Sequence, residues 1–374
     1  MPAEIAARTC VALEDAVDDA SAGAKAARLA RARAAGLPVL PGIVVPAEAA
    51  APALAAGLRA HAGGSGAAQL AVMDWPFDAA LSAALAEHAL ALGSHLVVRS
   101  SSPLEGDGRW SGAFASYVGV APEHLDVAVR GVWASAFSRD VLDRMAHQRL
   151  DLANLRVAVL VQPARGFAFG GVARLEGAGN VRIEGARGGP AGILSGWVVG
   201  EEIDPAITRE VTELVRRTHV LLGYDAIEWG SNAEGIVLLQ AQRGSAHGTG
   251  TRLEPDPVLG VPEPAEAVIA GVGRGVGRYL EFPQEGGALP PGSVLIVARP
   301  LAAFAPLLWN AAGLVCRAGG AGAHLIEVAR SLDVPTVMRC RLDDVVAAGA
   351  ENFVLTVDGD EGCVFVHGVP ARSG

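Results

Sequence analysis

Three constellations in this 374-residue chain have the residue types and spacing for chemistry. His324 follows a glycine-rich turn and opens an apolar-periodic run of Leu325, Val328, Ala329 and Leu332. The spacing places those four on one face of a short helix and the imidazole in its first turn. A helix start presents unpaired backbone N–H groups and the positive end of the macrodipole, so an anion carried on that ring would be stabilised. An inert histidine on a capped surface helix fits the same pattern. Arg99 ends the apolar strand Leu96 to Val98 and precedes Ser100, Ser101 and Ser102. A guanidinium grips phosphate bidentately while hydroxyls and backbone amides take the remaining oxygens; a plain loop with an Arg99–Glu105 surface ion pair is the alternative. Glu228 and Gln240 fall near the ends of two strands joined by a turn at Asn232 to Gly235. Two oxygen ligands converging beside a triphosphate suit Mg²⁺, which would draw its other ligands from phosphate and water.

The segments that must hold these residues alternate between helix and strand periods, the pattern of a mixed α/β chain. Residues 23–45 read as a helix, a GLPVLPG stop and a short β-branched strand. Residues 47–93 are alanine-rich and predict two or three helices with a break at Gly63 to Gly66. Two helical patterns lie between Ala121 and Leu150. Val157 to Gln162 is a buried strand, and 206–222 is an amphipathic helix closed by Gly223. From Gly244 the composition turns to Gly, Ser, Pro and acid, with Pro255, Pro257, Pro262 and Pro264 close together, the composition of a semi-rigid linker. Strands and helices resume toward the C-terminus.

Composition narrows the class. The formal net charge is −10 and half of the residues are apolar, yet the basic residues are scattered, which argues against a nucleic-acid partner. No apolar run reaches the roughly 18 residues that would span a bilayer, and the acidic start lacks the apolar core of a signal peptide. Cys10, Cys316, Cys340 and Cys363 show no metal-site spacing and read as reduced thiols of a cytoplasmic protein.

The stretch GGAGAHLIEVARSLDVPTV resembles the phosphohistidine signature of the phosphoenolpyruvate-utilising enzymes, the family of PEP synthase, pyruvate phosphate dikinase and rifampicin phosphotransferase. Gly319, Gly320, His324, Ala329, Arg330 and Pro335 stand in matching places. Upstream, 23–45 is similar to the start of that family's ATP-binding domain, with Lys25 in the place of a lysine that contacts nucleotide phosphates. Arg99, Ser100, Ser101, Glu105, Gly112 and Ser116 match its next motif. Gln162 ends a strand that in relatives lies beside the adenine, with an edge-of-core glutamine as the other reading. Glu184, Gly188 and Gly196 match a third motif. Glu228 and Gln240 match the Glu and Gln that bind Mg-ATP, and Arg243 lies one residue beyond the family arginine's place, which Gln242 occupies. The chain departs from the pattern at Gly106, Ala191, Gly322 and Ala323.

The resemblance implies an ATP-grasp-like domain over 1–243, a Pro/Gly-rich linker over 244–268 and a swivelling ββα phosphohistidine domain over 269–374. It implies His324 as the catalytic residue, ATP contacts from Lys25, Arg99, Ser100, Ser116, Gln162, Glu184 and Arg243, and Mg²⁺ on Glu228 and Gln240. The expected reaction moves the β-phosphate of ATP through phospho-His324 to an acceptor, releasing AMP and phosphate. Neither a pyruvate barrel nor an inserted drug-binding domain is expected, so the acceptor is a small molecule, bound by this chain or at a site supplied by a partner protein. A phosphocarrier subunit and a nucleotide-binding regulatory protein are the alternatives.

Overall fold

The computed structural model describes residues 10–244, 262–283 and 289–367. It is mixed α/β and divides into two compact units. One gathers Met1–Ile183, Arg187–Gly189 and Asp204–Arg243, the other Glu184–Ala186, Pro190–Ile203 and Gly244–Gly374. Residues 245–261, which hold most of the expected linker, lie outside the described residues. Its described tail contributes to two strands, Glu263–Pro264 and Glu266–Ile269.

The first unit is organised around an antiparallel sheet of β1 (Val11–Ala12), β2 (Ile43–Val45), β3 (Leu96–Ser101), β4 (Ser116–Val120) and β5 (Ala158–Pro163), in the order β1-β2-β5-β3-β4. A second sheet follows, β6 (Phe169–Leu175), β7 (Val181–Arg187), β8 (Ala226–Asn232) and β9 (Gly235–Gln242), in the order β7-β6-β8-β9. Among the described residues six α-helices precede β5: α1 (Asp19–Ala34), α2 (Ala47–Ala60), α3 (Ser65–Met73), α4 (Ala79–Leu92), α5 (Leu125–Ala134) and α6 (Arg139–His147). The alanine-rich stretch thus forms three helices, α2 to α4. Val98, Val159 and Val161 share one core with Val129, Val132 and Trp133 of α5. Strand residues alternate faces, so Arg99 and Gln162 sit on the opposite face of the sheet, toward β8 and β9.

Two local features place the side chains of interest. The strand expected to stop at Val98 runs on to Ser101, because β5 pairs it through Ser101↔Ala158 while β4 pairs it through Arg99↔Ser116. Arg99, Ser100 and Ser101 are therefore ladder residues rather than loop residues. Helix α1 is broken at Gly23, whose φ of 74° lies in the left-handed region. A Cβ there would stand 1.8 Å from the Ser101 carbonyl oxygen, so only glycine lets the helix restart against β3, with Ala24 N–H donating to Ser102 O and Lys25 in the first turn.

In the second unit, α7 (Ala191–Leu194) precedes an eight-stranded mixed sheet of β10 (Glu263–Pro264), β11 (Glu266–Ile269), β12 (Val272–Leu280), β13 (Ser293–Val297), β14 (Ala311–Cys316), β15 (Thr336–Met338), β16 (Val354–Asp358) and β17 (Cys363–His367). Strands β12 to β15 are parallel neighbours, and the central pair β13 and β14 is largely apolar on both faces, as a covered parallel sheet requires. Leu295, Val297 and Leu314 pack with Leu325, Val328 and Ala329 on one side; Val294, Ile296 and Val315 pack with Leu355, Val357 and Val364 on the other. Among the described residues no helix is long and apolar enough to cross a membrane.

Two outcomes follow from this packing. Gly23→Ala, which sets a methyl group against the Ser101 carbonyl and strains φ, should cost on the order of 3 kcal/mol and lower the melting temperature by roughly 10 °C; an unchanged melting curve would show that α1 is not docked on β3 as described. All four cysteines are free and buried, and burial raises each thiol, Cys340 to about 12. Thiolate is the reactive form, so native protein at pH 8 should show no fast-reacting thiol toward a disulfide reagent. Unfolded protein should show four.

Candidate active site

Lys25, Arg99, Glu105 and Glu228 form a compact group of two cations and two anions in the first unit. Lys25 Nζ donates to Glu105 Oε1 at 2.6 Å and more weakly to Ser100 Oγ at 3.5 Å. Glu105 is buried and also accepts from Ser100 Oγ at 2.9 Å and from Ser102 N–H at 2.8 Å. The last bond closes a capping box over the turn Pro103–Gly106. The Arg99–Glu105 surface pair considered from sequence is not what forms; Glu105 pairs with Lys25 instead. Ser100 and Ser101 are fully buried, and Ser101 Oγ accepts from Ala26 N–H.

Arg99 Nη2 donates to Gln162 Oε1 at 2.6 Å and to Leu239 O at 2.8 Å. Its Nε is buried without a hydrogen-bond partner, a deficit that costs about 1–3 kcal/mol in an interior. Burial lowers the Arg99 pKa, opposed by Glu228 and then by Glu105. Conversely, burial raises the Glu228 carboxyl against the pull of Arg99 and Lys25, and Glu105 pushes it further up. These four charges therefore feel one another even where no direct contact joins them.

Glu228 and Gln240 are register partners on β8 and β9, and a bulge follows Glu228. Directly opposed residues on antiparallel strands hold their side chains close on one face, and bulges re-aim side chains beside functional sites. Among the described residues no group of three or more His, Cys, Asp or Glu side chains could hold a metal. A single carboxylate with a neighbouring amide fits a hard cation that takes its other ligands from phosphate and water, as Mg²⁺ does.

The other expected contacts are more spread. Ser116 is exposed on the edge strand β4, opposite Arg99. Arg243 is exposed just after β9; burial lowers the Arg28 pKa, and like-charge repulsion from Arg31 and then Arg243 adds to it. Arg28 itself went unremarked from sequence. One helical turn from Lys25, it donates to Gly106 O at 2.8 Å and lies over the Tyr224 ring at 5.5 Å; the i, i+3 spacing on α1 was the available signal. A fully buried Arg144 binds Asp140 through two nitrogens and donates to Arg109 O and Ser111 O, fixing the loop that leads into β4.

In the second unit, helix α8 (His324–Ser331) starts at His324, which keeps part of its surface exposed. The loop before it holds Glu184, whose Oε1 accepts from Ala321 N–H at 3.0 Å and whose Oε2 accepts from Gly322 N–H at 2.8 Å. Successive backbone N–H groups that converge on one anion make a nest. Both preceding glycines stand in tight places, and Gly319 also has a φ of 105°. A Cβ at Gly319 would lie 2.4 Å from Pro300 Cδ, and one at Gly320 would lie 2.7 Å from Glu184 Oε2. Glu184 thus stands with the His324 loop rather than with Lys25 and Arg99. Arg330 is buried and donates to Val268 O at 3.4 Å.

Comparison with known proteins finds two known domain types in this chain. Residues 19–198 match the pyruvate phosphate dikinase AMP/ATP-binding domain, and 289–362 match the mobile domain of PEP-utilising enzymes. The first match ends before Glu228 and Gln240. A stretch of 100 residues is 27% identical to phosphoenolpyruvate synthase of Synechocystis sp., covering 26% of this chain and 12% of that enzyme. Among solved structures, carboxyaminoimidazole ribonucleotide synthase of Aspergillus clavatus, complexed with ATP, gives a TM-score of 0.33 at 13% identity over 62% of this chain and 47% of that one. D-alanyl-alanine synthetase A of Vibrio cholerae gives 0.31 at 11% over 57% and 52%. Aconitase X of Thermococcus kodakaraensis gives 0.22 at 17% over 29% and 99%. With the ATP-binding domain and the mobile domain both present in the order in which their motifs were read, the chain is a PEP-utilising, dikinase-family protein.

Proposed function

We propose that this chain is an ATP-dependent phosphotransferase of the dikinase type, with His324 as the group that carries the phosphoryl. The observation that carries the reading is the loop ahead of His324, where two adjacent backbone N–H groups already hold a carboxylate. A site that binds one anion through fixed dipoles suits a phosphoryl group on the neighbouring imidazole. The nucleotide side is supported by Lys25 and Arg99 converging near Glu228 and Gln240. Lys25 spends two donors on Glu105 and Ser100, leaving one for a phosphate oxygen, and Arg99 has a buried N–H in want of an acceptor.

The chemistry balances in two steps. A neutral imidazole nitrogen of His324 attacks the β-phosphorus of ATP, the bond from that phosphorus to the AMP oxygen breaks, and AMP leaves with the electron pair. The imidazole then carries both remaining phosphoryl groups. Water cleaves the β–γ bond and releases inorganic phosphate with the displaced proton, leaving one phosphoryl on His324 for the acceptor. Such a covalent relay splits one difficult transfer into easier ones. Lys25 and Arg99 would bind and orient the phosphates and spread their charge, the main contribution a protein makes to phosphoryl transfer. Mg²⁺, when bound at Glu228 and Gln240, would neutralise phosphate charge. The acceptor is proposed to be a small molecule; a partner protein that supplies its site remains the alternative.

The decisive measurement uses ATP labelled separately at the β and γ phosphates, with Mg²⁺. Label from the β position should remain on the wild-type protein with release of AMP, and His324→Ala should retain none; a product mixture of ADP with label from γ would overturn the dikinase reading. For the nest, Glu184→Ala should speed amide hydrogen exchange at Ala321 and Gly322 by about tenfold, with the strands β13 and β14 unchanged. Equal exchange in both proteins would mean that the carboxylate does not hold the loop.

A further inference from the structure

Gln162 is expected, by resemblance, to reach the nucleotide. Its surroundings give it different work. The residue is 4% exposed, and both ends of its amide are taken within the protein. Oε1 accepts from Arg99 Nη2 at 2.6 Å, and Nε2 donates to Leu40 O at 3.0 Å. The orientation of that amide is fixed by its partners, since a guanidinium only donates and a carbonyl only accepts. Flipping it would oppose two donors and two acceptors. With one bond made at each end and the residue buried, the amide is held toward Arg99 and Leu40 rather than turned outward to a base edge.

We propose that Gln162 is a positioning residue for Arg99, setting the guanidinium that binds the phosphates rather than recognising the base. The register supports this: Gln162 lies opposite Val97, so it is the diagonal neighbour of Arg99 on the same face of the sheet. Arg99 Nη2 spends its two hydrogens on Gln162 and Leu239 O. That pins the planar fork between β5 and β9 and leaves Nε and Nη1 for phosphate oxygens. Leu40, in the turn before β2, anchors the glutamine in its own place. The inference rests on the reading of the first unit as a nucleotide site.

The test compares Mg-ATP, Mg-GTP and inorganic tripolyphosphate by calorimetry on the full chain. A positioning role predicts that Gln162→Met weakens all three by the same factor, about tenfold for a lost bond to a charged group, since tripolyphosphate has no base to lose. A base contact predicts a changed ATP to GTP ratio with tripolyphosphate untouched, and that result would overturn the proposal. General damage to the fold would also act on all three ligands, so the same substitution is repeated in Arg99→Lys. Acting through Arg99, it should there add less than about twofold; an undiminished tenfold loss would also reject the proposal. If the methionine variant does not fold, Gln162→Glu, which keeps an acceptor toward Arg99, is read by the same criterion of equal or unequal loss across ligands. Wild-type protein that binds neither ATP nor tripolyphosphate would overturn the nucleotide reading, and this inference with it.

Discussion

A buried guanidinium is expensive unless its charge is met and its donors are used, and much of the first unit can be read as the answer to Arg99. The run Leu40 O, Gln162, Arg99, Leu239 O draws in the turn before β2, strand β5, strand β3 and strand β9. Glu228 and Glu105 supply the opposing charge at longer range. Satisfaction is still incomplete at Nε. Natural interiors rarely tolerate such a deficit without a reason, and an anionic ligand is the kind of partner that would close it.

Lys25 reaches the same place by another route. Its position depends on a backbone event, the helix restart at Gly23, and on a capping box whose glutamate is buried instead of solvated. One oxygen of Glu105 closes the turn while the other faces the lysine. A flexible four-carbon stem would otherwise lose much of its rotamer freedom on binding a phosphate. With the ammonium already tethered to Glu105 and Ser100, that ordering would, on the proposed function, be largely complete before a ligand arrives, which is the advantage of preorganisation.

The elements were largely legible in the residues, because long periodic helices and β-branched strands declare themselves. The cross-strand pairing of Glu228 with Gln240 was readable from one turn signal at Asn232 to Gly235. Pairings distant in sequence were not. Nothing local to SPLE says that Glu105 meets a lysine 80 positions away, and the nearer arginine was the natural first choice. The continuation of β3 through Ser101 was hidden because serines and arginine read as loop, whereas two flanking strands impose the ladder on them. Nor could spacing place Glu184 at the His324 loop, 137 positions distant.

That last placement also explains the two glycines as one device. Gly319 adopts a φ of 105° beside Pro300, and Gly320 leaves the space in which the Glu184 carboxylate lies. The two N–H groups of Ala321 and Gly322 are enough for one anion. A phosphoryl group on His324 would carry close to two negative charges, and at about 4 Å two unit charges at an effective dielectric near 20 repel by roughly 4 kcal/mol each way they pair. A carboxylate and a phosphoryl group would therefore compete for the nest. On the proposed chemistry the chain has no hydroxyl at Gly322 or Ala323 to offer a phosphoryl group, so its donors there would be the backbone N–H groups that Glu184 occupies.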